Sequence, residues 1–173
     1  ATHGVRVRIV QADVGQREDV NRLFDEAEEA FGGVDVVVNN AGASTFLPHE
    51  HTSEDDFDRV FRLNAKGAFL VLGEAARRVR NGGEIIQVSS SGTKMPSPAG
   101  GVYAASKAAG EQMAFALSKE LGERHITVNV VSPGVTKTDG LTLPQPAIDQ
   151  LVGMTPLGRL GEPRDVGDVI AML

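Results

Sequence analysis

Apolar residues in this chain follow two alternating rhythms. From Val5 to Gln11 valine alternates with arginine before Ile9-Val10-Gln11, the pattern of a strand. Between Glu18 and Phe31 the spacing lengthens, setting Val20, Leu23, Phe24, Ala27 and Phe31 on one helical face. Gly32-Gly33 stops that helix. Val34 to Val38 reads as an apolar run and predicts a parallel strand covered on both faces. Ser53 to Val79 predicts one long helix, opened by Ser53 with Glu54, Asp55 and Asp56 at its positive end. Gly82-Gly83 breaks the chain, and Glu84 to Val88 is the next strand. A helix from Tyr103 to Leu121 and a two-faced strand from Ile126 to Val131 follow. Thr138 to Leu160 holds Pro144, Pro146 and Pro156 and little regular pattern, and Glu162-Pro163 opens a last helix. Strand alternating with helix predicts an α/β fold on a parallel sheet.

Composition adds bounds. The 173 residues make a single domain, 1–173, large enough to bury a sizeable core. The 41% hydrophobic content and 20 glycines suit many tight strand–helix turns. A net charge of −6 argues against nucleic acid or an anionic membrane as partner. No run approaches the ~20 apolar residues of a bilayer span, and no leader pattern is seen. The absence of cysteine rules out disulfides and thiolate metal sites and fits a reducing, cytoplasmic setting. His3, His49, His51 and His125 show no ligand spacing, so no metal is expected. The chain starts at Ala1 rather than Met and stops at Leu173 inside a helical pattern, so both ends read as cut.

Candidate chemistry centres on Tyr103 and Lys107, which share one helical face a turn apart. A free phenol has a pKa of about 10; a neighbouring ammonium favours the phenolate and suits the pair to proton transfer. An ordinary exposed helix pair has the same spacing. Ser89-Ser90-Ser91 ends a strand and offers hydroxyl donors. Asn39-Asn40-Ala41-Gly42 combines small residues, which let backbone approach a ligand, with side chains that fix a loop. Asn64 lies mid-helix, where its propensity is poor. Asp13-Val14 follows the first strand, and Asp13 reads equally as a cap for the next helix.

Asn39-Asn40-Ala41-Gly42, Asn64, Ser90, Tyr103-x-x-x-Lys107 and Pro133-Gly134 together resemble the short-chain dehydrogenase/reductase family in order and spacing. The resemblance runs from Asp13-Val14 to Glu162-Pro163. It implies a doubly wound parallel sheet of the Rossmann type, here without its first two strands and its last. It implies hydride transfer between NAD or NADP and a small-molecule carbonyl or secondary alcohol. Tyr103 would exchange the proton, Ser90 would bond the same oxygen, and Lys107 would lower the Tyr103 pKa and hold ribose hydroxyls. Asn64 would support a proton relay, often with a local helix distortion. Asp13 and Val14 would lie against the adenine, while Asn39, Ala41 and Gly42 would line the cofactor. Pro133, Gly134, Val135 and Thr138 would hold the nicotinamide amide, with Thr136 an alternative to Thr138. Ser90 is preferred to Ser89 and Ser91 because it lies thirteen residues before Tyr103. The Thr138–Leu160 segment matches the family's variable substrate lid. The outer faces of the Ser53–Val79 and Tyr103–Leu121 helices imply a homodimer or tetramer.

The family's Gly-rich phosphate loop and second strand are absent from these residues, which implies a parent polypeptide with roughly 50–60 further residues ahead of Ala1, about two strand–helix units. A non-catalytic relative acting through protein–protein contacts is the alternative reading. A sugar-nucleotide epimerase of the related extended family is disfavoured by Asn39-Asn40-Ala41-Gly42.

Overall fold

The computed structural model describes residues 4–173, so His3 lies outside them. Helix α1 (Arg17–Phe31) leads into strand β1 (Val34–Asn39). Helices α2 (Glu54–Phe61) and α3 (Gly67–Arg78) precede strand β2 (Val79–Val88). Helix α4 (Gly101–Glu120), strand β3 (Thr127–Val131) and helices α5 (Gln145–Met154) and α6 (Pro163–Met172) complete the order. Among the described residues the sheet has three parallel strands in the order β1-β2-β3.

The expected strand at Val5–Gln11 does not form: these residues make no ladder, and Ile9 is 90% exposed. A strand needs a neighbour to share its hydrogen bonds, and this segment meets none among the described residues. Side-chain contacts tie it to α1 instead, with Arg8 on Glu26 and Arg6 over Phe31.

The core lies between the sheet and a layer formed by α1, α3 and α4. Val20 and Phe24 of α1, Leu70 to Leu72 of α3, Ile85 of β2 and Ala114 and Leu117 of α4 join in one cluster. Strand β1 departs from the two-faced expectation. Val34 and Val37 pack against this core, while Val36 and Val38 are 54% and 43% exposed. Asp35 interrupts the apolar run and pairs with Arg80 at the surface.

Gly82-Gly83 does not end an element either. The pairing jumps from Val34 opposite Val79 to Val36 opposite Glu84, so the glycines form an irregularity inside β2. Gly82 adopts a positive φ, and a side chain on Gly83 would strike the Asp35 carbonyl.

The helix expected from Ser53 to Val79 is divided. Ser53 caps α2 by accepting from the Asp56 amide at 3.1 Å, a contact of about 1 kcal/mol. At Arg62–Lys66 the backbone passes through one π-helical turn before α3. Asn64 sits inside that turn. The proline-bearing segment also holds an unexpected helix, α5, whose Pro146 lies in the first turn, where a missing N–H is harmless.

Ends of the 138–160 segment are joined. Thr136 and Gly161 form a parallel bridge, with the Gly161 amide donating to Val135 O and the Lys137 amide to Gly161 O. Helix α6 then starts on a capping box: Glu162 accepts from the Asp165 amide and Asp165 from the Glu162 amide.

Candidate active site

Helix α4 places the central pair. Gly110 allows it close to β2, since a Cβ there would lie 3.2 Å from Gln87 Nε2. One turn earlier, Lys107 is 6% exposed and its ammonium donates to Val88 O at 2.8 Å. Burial pushes the Lys107 pKa below the ordinary lysine value. Val88 is the last residue of β2, so the cation is held two residues before Ser90.

Asn64 is 3% exposed and clamps the loop after β1. Its Oδ1 accepts from the Ala43 amide at 2.8 Å, and its Nδ2 donates to Ala43 O at 2.8 Å and Ser106 Oγ at 2.9 Å. The π turn thus aims one side chain at both the β1 loop and the residue beside Lys107. A Cβ on Gly42 would lie 2.7 Å from Asn64 Oδ1 and 3.5 Å from Lys107 Nζ. Asn39 is buried and donates to Gln87 Oε1 at 2.7 Å, so its side chain serves the sheet, whereas Asn40, Ala41 and Gly42 are exposed.

Ser90 is half-buried, and its Oγ accepts from the Gly92 amide at 3.1 Å. The Ser91 amide donates to Pro133 O at 2.8 Å, which joins the Ser90 turn to the turn after β3. Tyr103 is half-buried, and its ring lies 5.3 Å from that of Phe46, at 50°. Gly134, Val135 and Thr138 are exposed just past β3.

Asp13 does not cap α1, whose N-cap is Gln16. Its carboxylate accepts from Arg62 at 2.6 Å and from the Gly15 amide at 2.9 Å, and the Arg62 bond is the chief cause of its lowered pKa. The cap alternative fails because the carboxylate turns instead toward the start of the π turn. Val14 lines an apolar groove with Asn39, Asn40 and Ala41, alongside the outer edge of β1.

The contacts therefore gather Gly42, Asn64, Ser106 and Lys107 into one group, with Ser90 on the neighbouring turn and Tyr103 on the same helix. Two residues escaped the sequence reading. Phe46 was one more apolar residue in a loop; its position four after Gly42 carried no signal. Glu111 sat in a helix as an ordinary charge, yet it is 1% exposed.

The residues fit a nicotinamide dinucleotide. The buried ammonium of Lys107 has one protein acceptor among the described residues and two N–H bonds left for sugar hydroxyls. Gly42 beside it is exposed, and its lack of a side chain makes room for Asn64 Oδ1, which a Cβ would approach to 2.7 Å. Among the described residues no helix is long and apolar enough to cross a membrane.

Known proteins resemble this chain in sequence and fold. A family model described as enoyl-(acyl carrier protein) reductase matches residues 1–173. A protein of Picea abies named short-chain type dehydrogenase/reductase is 44% identical over 98% of this chain, which spans 65% of that protein's length. The hydroxynaphthalene reductase-like protein Arp2 of Metarhizium majus is 38% identical over 100% of this chain and 70% of its own. Among solved structures, angucycline C-6 ketoreductase LanV with bound NADP superposes with a TM-score of 0.90 at 36% identity, covering 99% of this chain and 70% of its own. Motif order, parallel sheet and these matches agree: the chain belongs to the short-chain dehydrogenase/reductase family.

Proposed function

We propose that the protein is an NAD(P)-dependent oxidoreductase that interconverts a small-molecule carbonyl and its secondary alcohol. The observation that carries this reading is the buried Lys107 ammonium on the helix of Tyr103, with hydrogen-bonding capacity left beside Gly42. A nicotinamide dinucleotide, when bound, supplies or takes up the hydride.

The chain's own residues do the rest. The Tyr103 hydroxyl hands its proton to the carbonyl oxygen during reduction and takes it back during oxidation. Ser90 donates a hydrogen bond to that oxygen as charge develops there. Lys107 would hold ribose hydroxyls with the two N–H bonds that Val88 O leaves free, and its charge stands one helical turn from Tyr103. Asn64 fixes the loop at Ala43 next to Gly42, and from its π turn it would support the proton relay. Asp13 and Val14 would hold the adenine, Asn39, Ala41 and Gly42 would line the dinucleotide through backbone, and Pro133, Gly134, Val135 and Thr138 would hold the nicotinamide amide. Phe46, beside Tyr103, forms a wall of the substrate space.

NADP as cofactor is supported by the bound NADP of the ketoreductase LanV, and a carbonyl substrate by the reductase names of the relatives. Assembly as a homodimer or homotetramer is supported by outward Phe69 and Phe115, 55% and 45% exposed on α3 and α4. A cytoplasmic setting completes the reading.

The test is carbonyl reduction with NADPH and NADH by the full-length polypeptide and its Tyr103→Phe variant. The variant should lose about 10²–10⁴-fold in kcat with cofactor binding retained. No turnover of any carbonyl by the wild type, or an unchanged kcat in Tyr103→Phe, overturns the reading.

A further inference from the structure

Glu111 is a carboxylate with no part in the chemistry above, yet it is buried as deeply as the core valines. It stands one turn beyond Lys107 on α4. Its Oε1 accepts from Thr93 Oγ1 at 2.8 Å and from Ser132 Oγ at 3.3 Å, and its Oε2 from Lys94 Nζ at 2.8 Å. Ser89 Oγ, also buried, has no partner in hydrogen-bonding geometry among the described residues, although it lies close enough to bias the carboxylate toward its charged form. A buried carboxylate without partners would be costly. Burial opposes the charge on Glu111, but Lys94, Ser89 and Thr93 together hold its pKa below the ordinary glutamate value.

Each partner belongs to a segment that the site depends on. Thr93 Oγ1 also lies 2.9 Å from Ser90 O, so its single hydrogen is shared between that carbonyl and Glu111. Thr93 and Lys94 close the 3₁₀ turn that starts at Ser90, through amide bonds to Ser90 O and Ser91 O. Ser132 directly precedes Pro133-Gly134, whose Pro133 O accepts from Ser91. One charged group on α4 thus holds the turn after β2 and the turn after β3.

We propose that Glu111 is a positioning residue, fixing the Ser90 turn and the Ser132-Pro133 turn relative to the helix that carries Tyr103 and Lys107. It touches neither substrate nor cofactor. The consequence for turnover rests on the function proposed above, whereas the consequence for the turn does not.

Two measurements on the full-length polypeptide test this. In a double-mutant cycle, Glu111→Gln should lower kcat by about ten- to a hundredfold through misplacement of the Ser90 hydroxyl, with the KM for the carbonyl changed far less. In a Ser90→Ala background the same change should lower kcat by less than about twofold, because the group being positioned is gone. Equal losses in both backgrounds, at a temperature where both variants are folded, mark a merely structural residue and overturn the proposal.

Amide hydrogen exchange needs no activity. In Glu111→Gln and Glu111→Leu the amides of Thr93, Lys94 and Met95 should exchange at least about tenfold faster while Ile85 to Gln87 stay protected. Unchanged exchange in that turn overturns the proposal even if turnover falls. If wild-type turnover is absent but the turn loosens, the positioning stands and the proposed function fails.

Discussion

Lys107 donates to the carbonyl of Val88 across 2.8 Å, so a buried cation is fastened to the last residue of a central strand. The folded state disfavours that charge, because burial lowers the lysine pKa from 10.5. Val88 O also accepts from Gln87 Nε2 at 3.1 Å and keeps a partner if the ammonium is removed.

Lys107→Met should therefore keep or raise the melting temperature near neutral pH while lowering kcat by about 10²-fold or more and weakening dinucleotide binding. The sign of the pH dependence follows. Below the lowered folded pKa both states of the wild type carry the charge, and only the folded state is penalised. As pH rises through the window beneath 10.5, the unfolded chain holds the proton more tightly, so wild-type stability grows and the advantage of the variant shrinks. Thermal denaturation between neutral pH and pH 10 checks this, and a variant that is destabilised throughout contradicts it.

Phe46 should select substrates by ring contact. The residue is 61% exposed beside Tyr103, on a loop held at Ala43 by Asn64 and at Ser44 O by Arg59. Aromatic pairs contribute about 0.5–1.5 kcal/mol beyond area burial. Phe46→Ala should lower kcat/KM for an aromatic ketone about two- to tenfold relative to a cyclic aliphatic one. An unchanged ratio in steady-state assays would remove Phe46 from the substrate wall.

Asp165 should titrate far into acid. Its carboxylate accepts first from Arg159 and then from the Glu162 amide, and its pKa falls from 3.8 to about 2. The stability it contributes is complete above pH 3.8 and is lost only as pH falls through about 2. Carboxyl carbon NMR should give that midpoint, and Arg159→Met should move it back up. An Asp165 midpoint at the ordinary value in the wild type would show that this pair does not form in solution.

Much of the candidate site could be read from residue order, because the Tyr103–Lys107 spacing and the Asn39 to Gly42 run are local properties of helix and loop. What stayed hidden depends on distant partners. Val5 to Gln11 has the alternation of a strand, but alternation cannot supply a neighbour. The family resemblance implied a distortion at Asn64, and the π turn bears that out; residue order did not give the bond of its side chain to Ala43. Glu111 carried no reading of its own, because Lys94, Thr93 and Ser132 are brought over it by separate turns. Pro144 and Pro146 suggested irregular chain, although a proline in the first turn is compatible with the helix that follows.

The bridge between Thr136 and Gly161 has a consequence for how such a protein can change. The bridge ties together the two ends of the 138–160 segment, with α5 between them. The entropy of closing a flexible loop grows slowly, by about 0.6 kcal/mol per doubling of its length. Insertions, deletions or a wholly different segment are therefore small perturbations there, while the same edits beside Ser90 would cut across the contacts of Glu111. On the function proposed above, substrate scope would drift on one side of the clamp while the turns that carry Ser90 and Pro133 on the other side are inherited intact.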